Sequence, residues 1–346
     1  MVTSYIGADV DSKMTDLAVE RNLKIVQRFR VPTTIAALRE VLAQIRGHKE
    51  LTFEEGPMAD WLYRNLKDCV DELIVCDPRR NGLIANDGDA DDVIDAGKLA
   101  TLLRGRYLRA VHHSDDSREV VFRQWVALYH DRIRQAVREI NKLRARCRMY
   151  GVRPPRGVLR NAARRERWLV ELEKSPLVEQ LKMLWIGYDA VARQVEICRR
   201  QMGQMGKFDK IIQLWQELPG MGPVRATTLR AYLETPWRFA NNNRKLWKYC
   251  GVGLERSSSG KDKDGKPKIG LLQLAWRVNR HLKDAVVGAA RSAIEQRNNV
   301  FAHMYERLVR NGLTTGNALH AVSRKMLTVE WGMWKSRTGF DPKLIG

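Results

Sequence analysis

Hydrophobic and polar positions alternate over short distances in the first 110 or so residues. "SYIGADV", "TDLAVER", "KIVQRFRV", "ELTFEEG" and "DELIVCDP" are short and rich in β-branched or aromatic residues, which predicts strands. "TTIAALREVLAQIRG" and "PMADWLYRNLKDC" predict amphipathic helices, the first with Thr33 or Thr34 as N-cap and Gly47 as C-cap, the second with Pro57 near its start. Three strands followed by helix–strand–helix–strand alternation predict a mixed sheet flanked by helices.

From about Asp116 the spacing of apolar residues becomes helical. "SREVVFRQWVALYHDRIRQAVREINKLRARCRMYG" predicts one long helix, and a second helical stretch runs from about Ala162 to Met205. Two long antiparallel helices are typical of an αα-hairpin or coiled coil. From about Lys207 the chain is helical again, apart from a lysine-rich loop at "SSSGKDKDGKPKIG". We therefore expect an α/β domain over residues 1–115, a helical coiled-coil insertion over 116–206 and a helical domain over 207–346.

Charge points to the kind of partner. The chain has 61 Lys and Arg against 40 Asp and Glu, a net charge of +21 and a pI near 10.0, which favours a polyanionic partner such as nucleic acid. Its apolar stretches fall far short of the roughly 20 residues that a membrane span needs. The N-terminus lacks the pattern of a signal peptide, and the five cysteines form no CxxC pair. We expect a cytoplasmic nucleic-acid-binding protein without a membrane partner, a disulfide framework or a zinc site.

Arginine is concentrated in the long helices. Residues 132–167 contain 12 Arg and 1 Lys against 2 Glu, a local charge of +11. Arginine with almost no interspersed acid favours phosphate contact, and Arg144 and Arg148 are candidates for it. The alternative is an ordinary solvated helix face.

Acidic residues are concentrated in a few places of this basic chain. Residues 86–100 contain five aspartates, and acids recur at strand ends and at a helix start, namely Asp9 and Asp11, Glu54 and Glu55, and Asp92 and Asp95. Asp9 and Asp11 lie on one face of a strand, whereas Asp92 and Asp95 lie on one face of a helix. Carboxylates brought together by a sheet repel each other unless a divalent cation such as Mg²⁺ is bound, and two such ions suit phosphoryl transfer. Alternatively, the aspartates simply cap a helix within a solvated loop.

Two further segments are candidates for contact with nucleic acid. "LPGMGPVRATTLRAYL" has the form of a helix-hairpin-helix, in which Gly220 and Gly222 allow a tight turn and Arg225 adds positive charge, although an ordinary helix joint fits equally. Next, a serine run is followed by four lysines, which suit phosphate steering or a flexible loop. These residues are Ser257, Ser258, Ser259, Lys261, Lys263, Lys266 and Lys268.

The order "YIGADVDSK…LTFEEG…DADDVIDAGKLA" resembles the RuvC-like, ribonuclease-H-fold domain of DEDD insertion-sequence transposases, which are guided by a bridge RNA. "LPGMG…RFANNNRKLWKYCGVGLERSSSG" is similar to their C-terminal transposase domain. The resemblance implies that Asp9, Glu54, Asp92 and Asp95 hold Mg²⁺. It also implies that Ser259, or Ser258 in its place, forms a covalent phosphoserine link to DNA.

We therefore expect a transposase or site-specific DNA recombinase that works as a homodimer or homotetramer with DNA and a structured guide RNA. One alternative is a metal-dependent nuclease resembling a Holliday-junction resolvase, which needs the acids but no serine. Another is a non-catalytic nucleic-acid-binding protein, in which the acids only cap a helix. The DNA target, the identity of the RNA and the oligomer size are left open by the sequence.

Overall fold

The computed structural model describes residues 2–78, 92–172, 175–256, 272–275 and 278–345. It is mixed α/β with many helices, as the sequence predicts. The chain divides into two compact units, Met1–Val120 and Val121–Gly346. This boundary lies five residues beyond the one expected after residue 115. The division expected at residues 206 and 207 stays a prediction.

The first unit contains a five-stranded mixed sheet in the order β3-β2-β1-β4-β5. Strands β1, β2 and β3 form an antiparallel meander, whereas β4 pairs parallel to β1 and β5 parallel to β4. All five strands fall on the segments with strand-like patterns. The strands are β1 (Thr3–Val10), β2 (Met14–Arg21), β3 (Lys24–Pro32), β4 (His48–Glu54) and β5 (Glu72–Cys76).

Among the described residues of the first unit, three α-helices accompany this sheet: α1 (Ile35–Gln44), α2 (Ala59–Leu66) and α3 (Asp92–Arg104). Thr34 is the N-cap of α1, where its side chain accepts a hydrogen bond from the backbone N–H of Ala37. The C-cap of this helix is Ile45, two residues before the expected Gly47, which has φ +87° in the turn that leads into β4.

One face of the sheet is covered by α1 and α2. Ile6 and Ala8 on β1 and Leu51 and Phe53 on β4 are fully or nearly fully buried on this face. They pack in one apolar cluster with leucines of both helices, among them Leu38 of α1. Because side chains alternate along a strand, Gly7 and Asp9 of β1 point to the opposite face.

In the part that the structure describes, the second unit is helical apart from a short antiparallel pair of strands, β6 (Leu254–Arg256) and β7 (Leu272–Leu274). Its long helix α4 (Ser117–Met149) begins at the end of the first unit. The other helices are α5 (Ala162–Glu171), α6 (Leu177–Gly206), α7 (Lys210–Trp215), α8 (Pro223–Leu233), α9 (Asn243–Tyr249), α10 (Arg280–Gln296), α11 (Val300–Arg310) and α12 (Thr315–Ser336).

The two long helices α4 and α6 run antiparallel. Cys147, near the end of α4, packs in a cluster with Leu177 at the start of α6, whereas Phe122 near the start of α4 packs with Met202 near the end of α6. The expectation of one continuous helix over residues 162–205 is wrong, because α5 ends at Glu171 and α6 begins after Pro176. Proline has no backbone N–H and clashes with a preceding helical turn, so it favours a helix start over a helix interior.

Candidate functional site

Asp9 and Glu54 lie next to each other on the sheet face that α1 and α2 leave open. The last residues paired between the parallel strands β1 and β4 are Ala8 and Phe53, and Asp9 and Glu54 directly follow them. Ala8 and Phe53 are in the apolar core, so the alternation of side chains turns both acids to the other face. Neighbouring strands lie roughly 4.8 Å apart, so Asp9 and Glu54 are adjacent on this face, and both are half-buried.

Helix α3 crosses this same face in close contact with β1. A Cβ atom added to Gly7 would lie 2.1 Å from the backbone oxygen of Ala96 and 2.5 Å from the backbone nitrogen of Ala100. The glycine is therefore required for the close approach of helix and strand. This contact fixes the middle of α3 against the strand that carries Asp9.

The direction of α3 follows from its other end. Thr101 and Arg104, in its last turn, donate hydrogen bonds to the carboxylate of the buried Glu20. Glu20 pairs with Tyr5, which precedes Gly7 on β1. The helix thus runs antiparallel to β1, and its first turns, with Asp92 and Asp95, lie toward the strand end at which Asp9 is located.

The surroundings of these acids are polar and charged. Asp95 is 3.7 Å from the ammonium of Lys98 within α3. On β2, the buried Asp16 lies opposite Asp9 and 3.9 Å from Arg30 of β3. The backbone of Asp92 begins α3, but its side chain lies outside the described residues. Among the described residues, no group of three or more His, Cys, Asp or Glu is placed to hold a metal ion.

The two alternative acids occupy different surroundings. Asp11 is exposed in the turn after β1, where hydrogen bonds from the backbone N–H groups of Ser12 and Lys13 lower the pKa of its carboxyl. Glu55 follows the last residue of β4 and binds the imidazole of His113, with 2.7 Å between its Oε2 and Nε2 of the histidine. Neither residue faces α3 as Asp9 and Glu54 do.

His113 was not among the residues predicted from the sequence. Its side chain is only 2% exposed and lies between two carboxylates, with Nδ1 2.7 Å from Asp60 of α2 and Nε2 bound to Glu55. Burial by itself lowers its pKa, but hydrogen bonds to Asp60 and Glu55 outweigh this effect and raise the pKa to about 9. No local sequence motif predicts the contacts of His113, because Asp60 and Glu55 are more than fifty residues away along the chain.

The structure places Gly220 and Arg225 in a tightly packed joint. Gly220 has φ +79°, and a Cβ atom there would lie 2.3 Å from the backbone oxygen of Ala289 on α10. Arg225 donates hydrogen bonds from Nη1 to the backbone oxygen of Gly220 at 2.7 Å and to the hydroxyl of Ser292 at 3.0 Å. Gly222 is the N-cap of α8 and has open space around its Cα. The guanidinium of Arg225 thus holds the turn together.

The arginines of the long helices differ in exposure. Arg144 and Arg148 of α4 are exposed. Arg165 of α5 is only 6% exposed, lies 2.7–2.8 Å from both carboxylate oxygens of Asp189 and stacks over the ring of Trp185. The charge of the 132–167 stretch is therefore partly structural.

Ser258 and Ser259 lie outside the described residues, as do Lys261, Lys263, Lys266 and Lys268. The strands on either side of them are described. Leu254 of β6 pairs with Leu274 of β7, and Lys248 of α9 forms an ion pair with Glu255 at 2.6 Å. The chain on both sides of the serine run is thus held at paired strands.

Residues 212–306 match the model of the transposase IS116/IS110/IS902 family. This match supports an insertion-sequence transposase. No curated protein matches the chain. The part that resembles a transposase lies within the second unit and includes Gly220, Gly222, Arg225 and Ser259, whereas the acidic sheet of the first unit lies outside it. A match to a transposase family implies DNA binding. None of the described helices is long and apolar enough to cross a membrane.

Proposed function

We propose that the protein is an insertion-sequence transposase that cleaves and exchanges DNA strands with Mg²⁺, through a covalent link between DNA and Ser259. The single observation that carries this proposal is the placement of Asp9 and Glu54 on one sheet face, next to the first turns of α3. The first unit has the mixed sheet that the sequence predicts, and a ribonuclease-H-like, RuvC-like fold for this unit is part of the proposal.

The residues present fit magnesium in their chemistry. Mg²⁺ takes hard oxygen ligands, and Asp9, Glu54, Asp92 and Asp95 would supply carboxylate oxygens from two strands and one helix. The bound metal would neutralise charge on a phosphate and stabilise the attacking and leaving oxygens. A divalent cation between neighbouring carboxylates offsets their mutual repulsion.

The covalent step would begin with the hydroxyl of Ser259, for which Ser258 is the alternative. Its oxygen forms a bond to the scissile phosphorus as the bond to the leaving strand's oxygen breaks. The serine proton is lost to a base and the leaving oxygen gains one, so that a phosphoserine and a free hydroxyl end result. Attack by the hydroxyl end of another strand restores the serine and joins the DNA. The four lysines after the serines would contact the flanking phosphates.

Partners follow from the same proposal. Arg144 and Arg148 are exposed and would contact phosphates of DNA or of a structured guide RNA. Exchange between two duplexes needs more than one cleavage site, so we propose a homodimer or homotetramer. The expected location stays the cytoplasm.

The proposal is tested by incubating the protein with Mg²⁺, RNA from cells that carry the element and labelled DNA with the element's ends. After denaturation, labelled DNA that migrates with the protein reports the covalent intermediate. We expect the adduct to disappear in Ser259→Ala and in Asp9→Asn, and to persist in Ser257→Ala, the matched control within the same serine run.

The other outcomes identify the alternatives. Cleavage without an adduct that persists in both Ser258→Ala and Ser259→Ala would leave a resolvase-like nuclease. Binding without cleavage, unchanged in Asp92→Asn and Asp95→Asn, would leave a non-catalytic nucleic-acid-binding protein. Loss of the adduct in Ser258→Ala alone would move the nucleophile by one residue.

A further inference from the structure

The second unit contains a cavity of about 640 Å³ that the proposed chemistry does not use. It is bounded by α7, by the short 3₁₀ turn Pro236–Phe239 and by the end of α12. Its volume is within the roughly 300–1,000 Å³ typical of small-molecule sites. Its walls combine aromatic rings with charged side chains, which is the chemistry of a site for a flat, charged ligand.

Trp237 stands at this cavity with 64% of its surface exposed. The backbone that presents it is held on both sides. Trp331 donates its indole N–H to the backbone oxygen of Pro236 at 2.8 Å, and the backbone N–H of Trp237 donates to the hydroxyl of Thr235 at 3.4 Å. A large aromatic ring is thus kept in solvent by an anchored turn, and exposed tryptophan of this kind is typical of recognition surfaces.

A second planar wall comes from Arg230 and Trp334. The guanidinium of Arg230 lies 5.4 Å from the centre of the Trp334 ring, and its Nε is 2.7 Å from the carboxylate of Asp209. This carboxylate fixes the guanidinium against the ring. Arg230 and Trp334 are themselves largely buried, so this pair lines the cavity as a fixed wall.

Positive charge is available at the edge of the cavity. Lys210 and Arg337 line it, both are exposed, and neither has an ion-pair partner in the part of the chain that the structure describes. The acids at the cavity, in contrast, are engaged within the protein. Asp209 binds Arg230, and Glu217 accepts the backbone N–H of Phe340 at 2.8 Å. Lys210 and Arg337 are therefore available to bind an anion beside the aromatic surface.

We propose that this cavity binds one unstacked nucleobase of a single-stranded nucleic acid. The base stacks on Trp237, and the phosphates on either side of it contact Lys210 and Arg337. A base-paired duplex does not fit this description, because its bases are already stacked and paired. An uncharged aromatic ligand would leave the two cations without a role. Single-stranded DNA and single-stranded RNA offer the same base and phosphate, so the experiment includes both.

The test measures the binding of the full chain to labelled oligothymidylate and oligouridylate by fluorescence anisotropy, without Mg²⁺ so that no cleavage occurs. We expect Trp237→Ala to weaken single-strand binding about tenfold and Trp237→Phe to weaken it less, since a smaller ring still stacks. Trp61→Ala is the matched control, because Trp61 is an exposed tryptophan of the first unit. Binding to a duplex should be unchanged in all three variants.

A second readout separates stacking from charge. An oligonucleotide with a central 2-aminopurine should lose fluorescence on binding the wild-type chain and regain it in Trp237→Ala. In Lys210→Ala and in Arg337→Ala, the slope of log K against log salt should become less negative by about 0.7, the contribution of one phosphate contact to single-strand binding. Unchanged single-strand affinity and quenching in Trp237→Ala would overturn the proposal, as would an equal loss on duplex DNA. A loss confined to one of the two single strands supports the proposal and identifies the source of the base.

Discussion

Asp9 and Glu54 occupy adjacent positions on two parallel strands, one residue beyond the last pair, Ala8 and Phe53. Both belong to the sheet face over which α3 passes. This relationship arises because each strand alternates between the apolar core and the opposite face. Asp9 and Glu54 each follow a core residue directly, and for this reason both lie on the charged face of the sheet.

Gly7 sets how closely α3 approaches these acids. In Gly7→Ala the new methyl group would meet the backbone of Ala96 and Ala100, so the helix must shift. We expect a loss of about 1–3 kcal/mol in the free energy of unfolding. Displacement of Asp92 and Asp95 should also lower DNA cleavage about a hundredfold. Gly332→Ala is the control, because its Cα faces open space and the change should stabilise helix α12 slightly. Equal melting temperatures for Gly7→Ala and the wild type would contradict the close contact.

Glu54 and Glu55 should respond differently to the same change. Glu54→Gln is expected to weaken Mg²⁺ binding in calorimetric titration, because a neutral amide is a poorer magnesium ligand than a carboxylate. Glu55→Gln is expected to leave Mg²⁺ binding intact and to lower the melting temperature, because His113 loses one of its two carboxylate partners. The reverse pattern would assign the metal to Glu55.

Substitutions of two arginines in the 132–167 stretch should have different effects, one on the stability of the fold and the other on nucleic-acid binding. Arg165→Ala breaks the buried contacts with Asp189 and Trp185, and we expect it to cost about 1–3 kcal/mol of stability. Arg144→Ala should leave the melting temperature unchanged and reduce the salt dependence of DNA or RNA binding by about one unit of slope. Thermal melting and binding at several salt concentrations check both. If Arg144→Ala leaves the slope unchanged, this arginine does not contact phosphate.

Glu330 should make the stability of the second unit dependent on pH. Its side chain is almost fully buried in α12, and within the described residues neither carboxylate oxygen has a hydrogen-bond partner. Burial raises the pKa of its carboxyl to about 8, from an ordinary value of 4.5. The unfolded chain loses this proton near pH 4.5 while the folded chain keeps it, so stability falls as pH rises through the window from about 4.5 to 8.

Glu330→Gln should remove this part of the pH dependence. Between pH 6 and 8 the wild type is expected to lose about 2–3 kcal/mol through this group, at roughly 1.4 kcal/mol per pH unit. Melting curves at both pH values measure the difference. Glu179→Gln, a change at an exposed glutamate of α6, is the control and should follow the wild type. A Glu330→Gln variant with the same pH dependence as the wild type would show that Glu330 is ionised in the folded chain.

Local patterns predicted the secondary structure well where one signal dominated. The alternation in "SYIGADV" and "LTFEEG" identified β1 and β4, and of the two expected N-caps of α1, Thr33 and Thr34, the structure has Thr34. The prediction of one helix over residues 162–205 was wrong, since apolar spacing continued across Pro176 and hid the break. The acids at the strand ends were recognisable in the sequence as well, because each one stands where the alternation of apolar and polar residues in a predicted strand stops.

The sequence by itself determined the strands, most helices, the basic charge and the candidate acids, because each depends on residues only a few positions apart. The tertiary structure decided which acids share a face. The parallel register of β1 with β4 decides that Glu54, and not Glu55, lies on the same face as Asp9. Glu55 and Asp60 both bind His113, which lies more than fifty residues further along the chain. The structural role of Arg165 and the exposed ring of Trp237 were likewise decided by packing. Such contacts depend on how distant segments are brought together, and short-range periodicity carries no record of that arrangement.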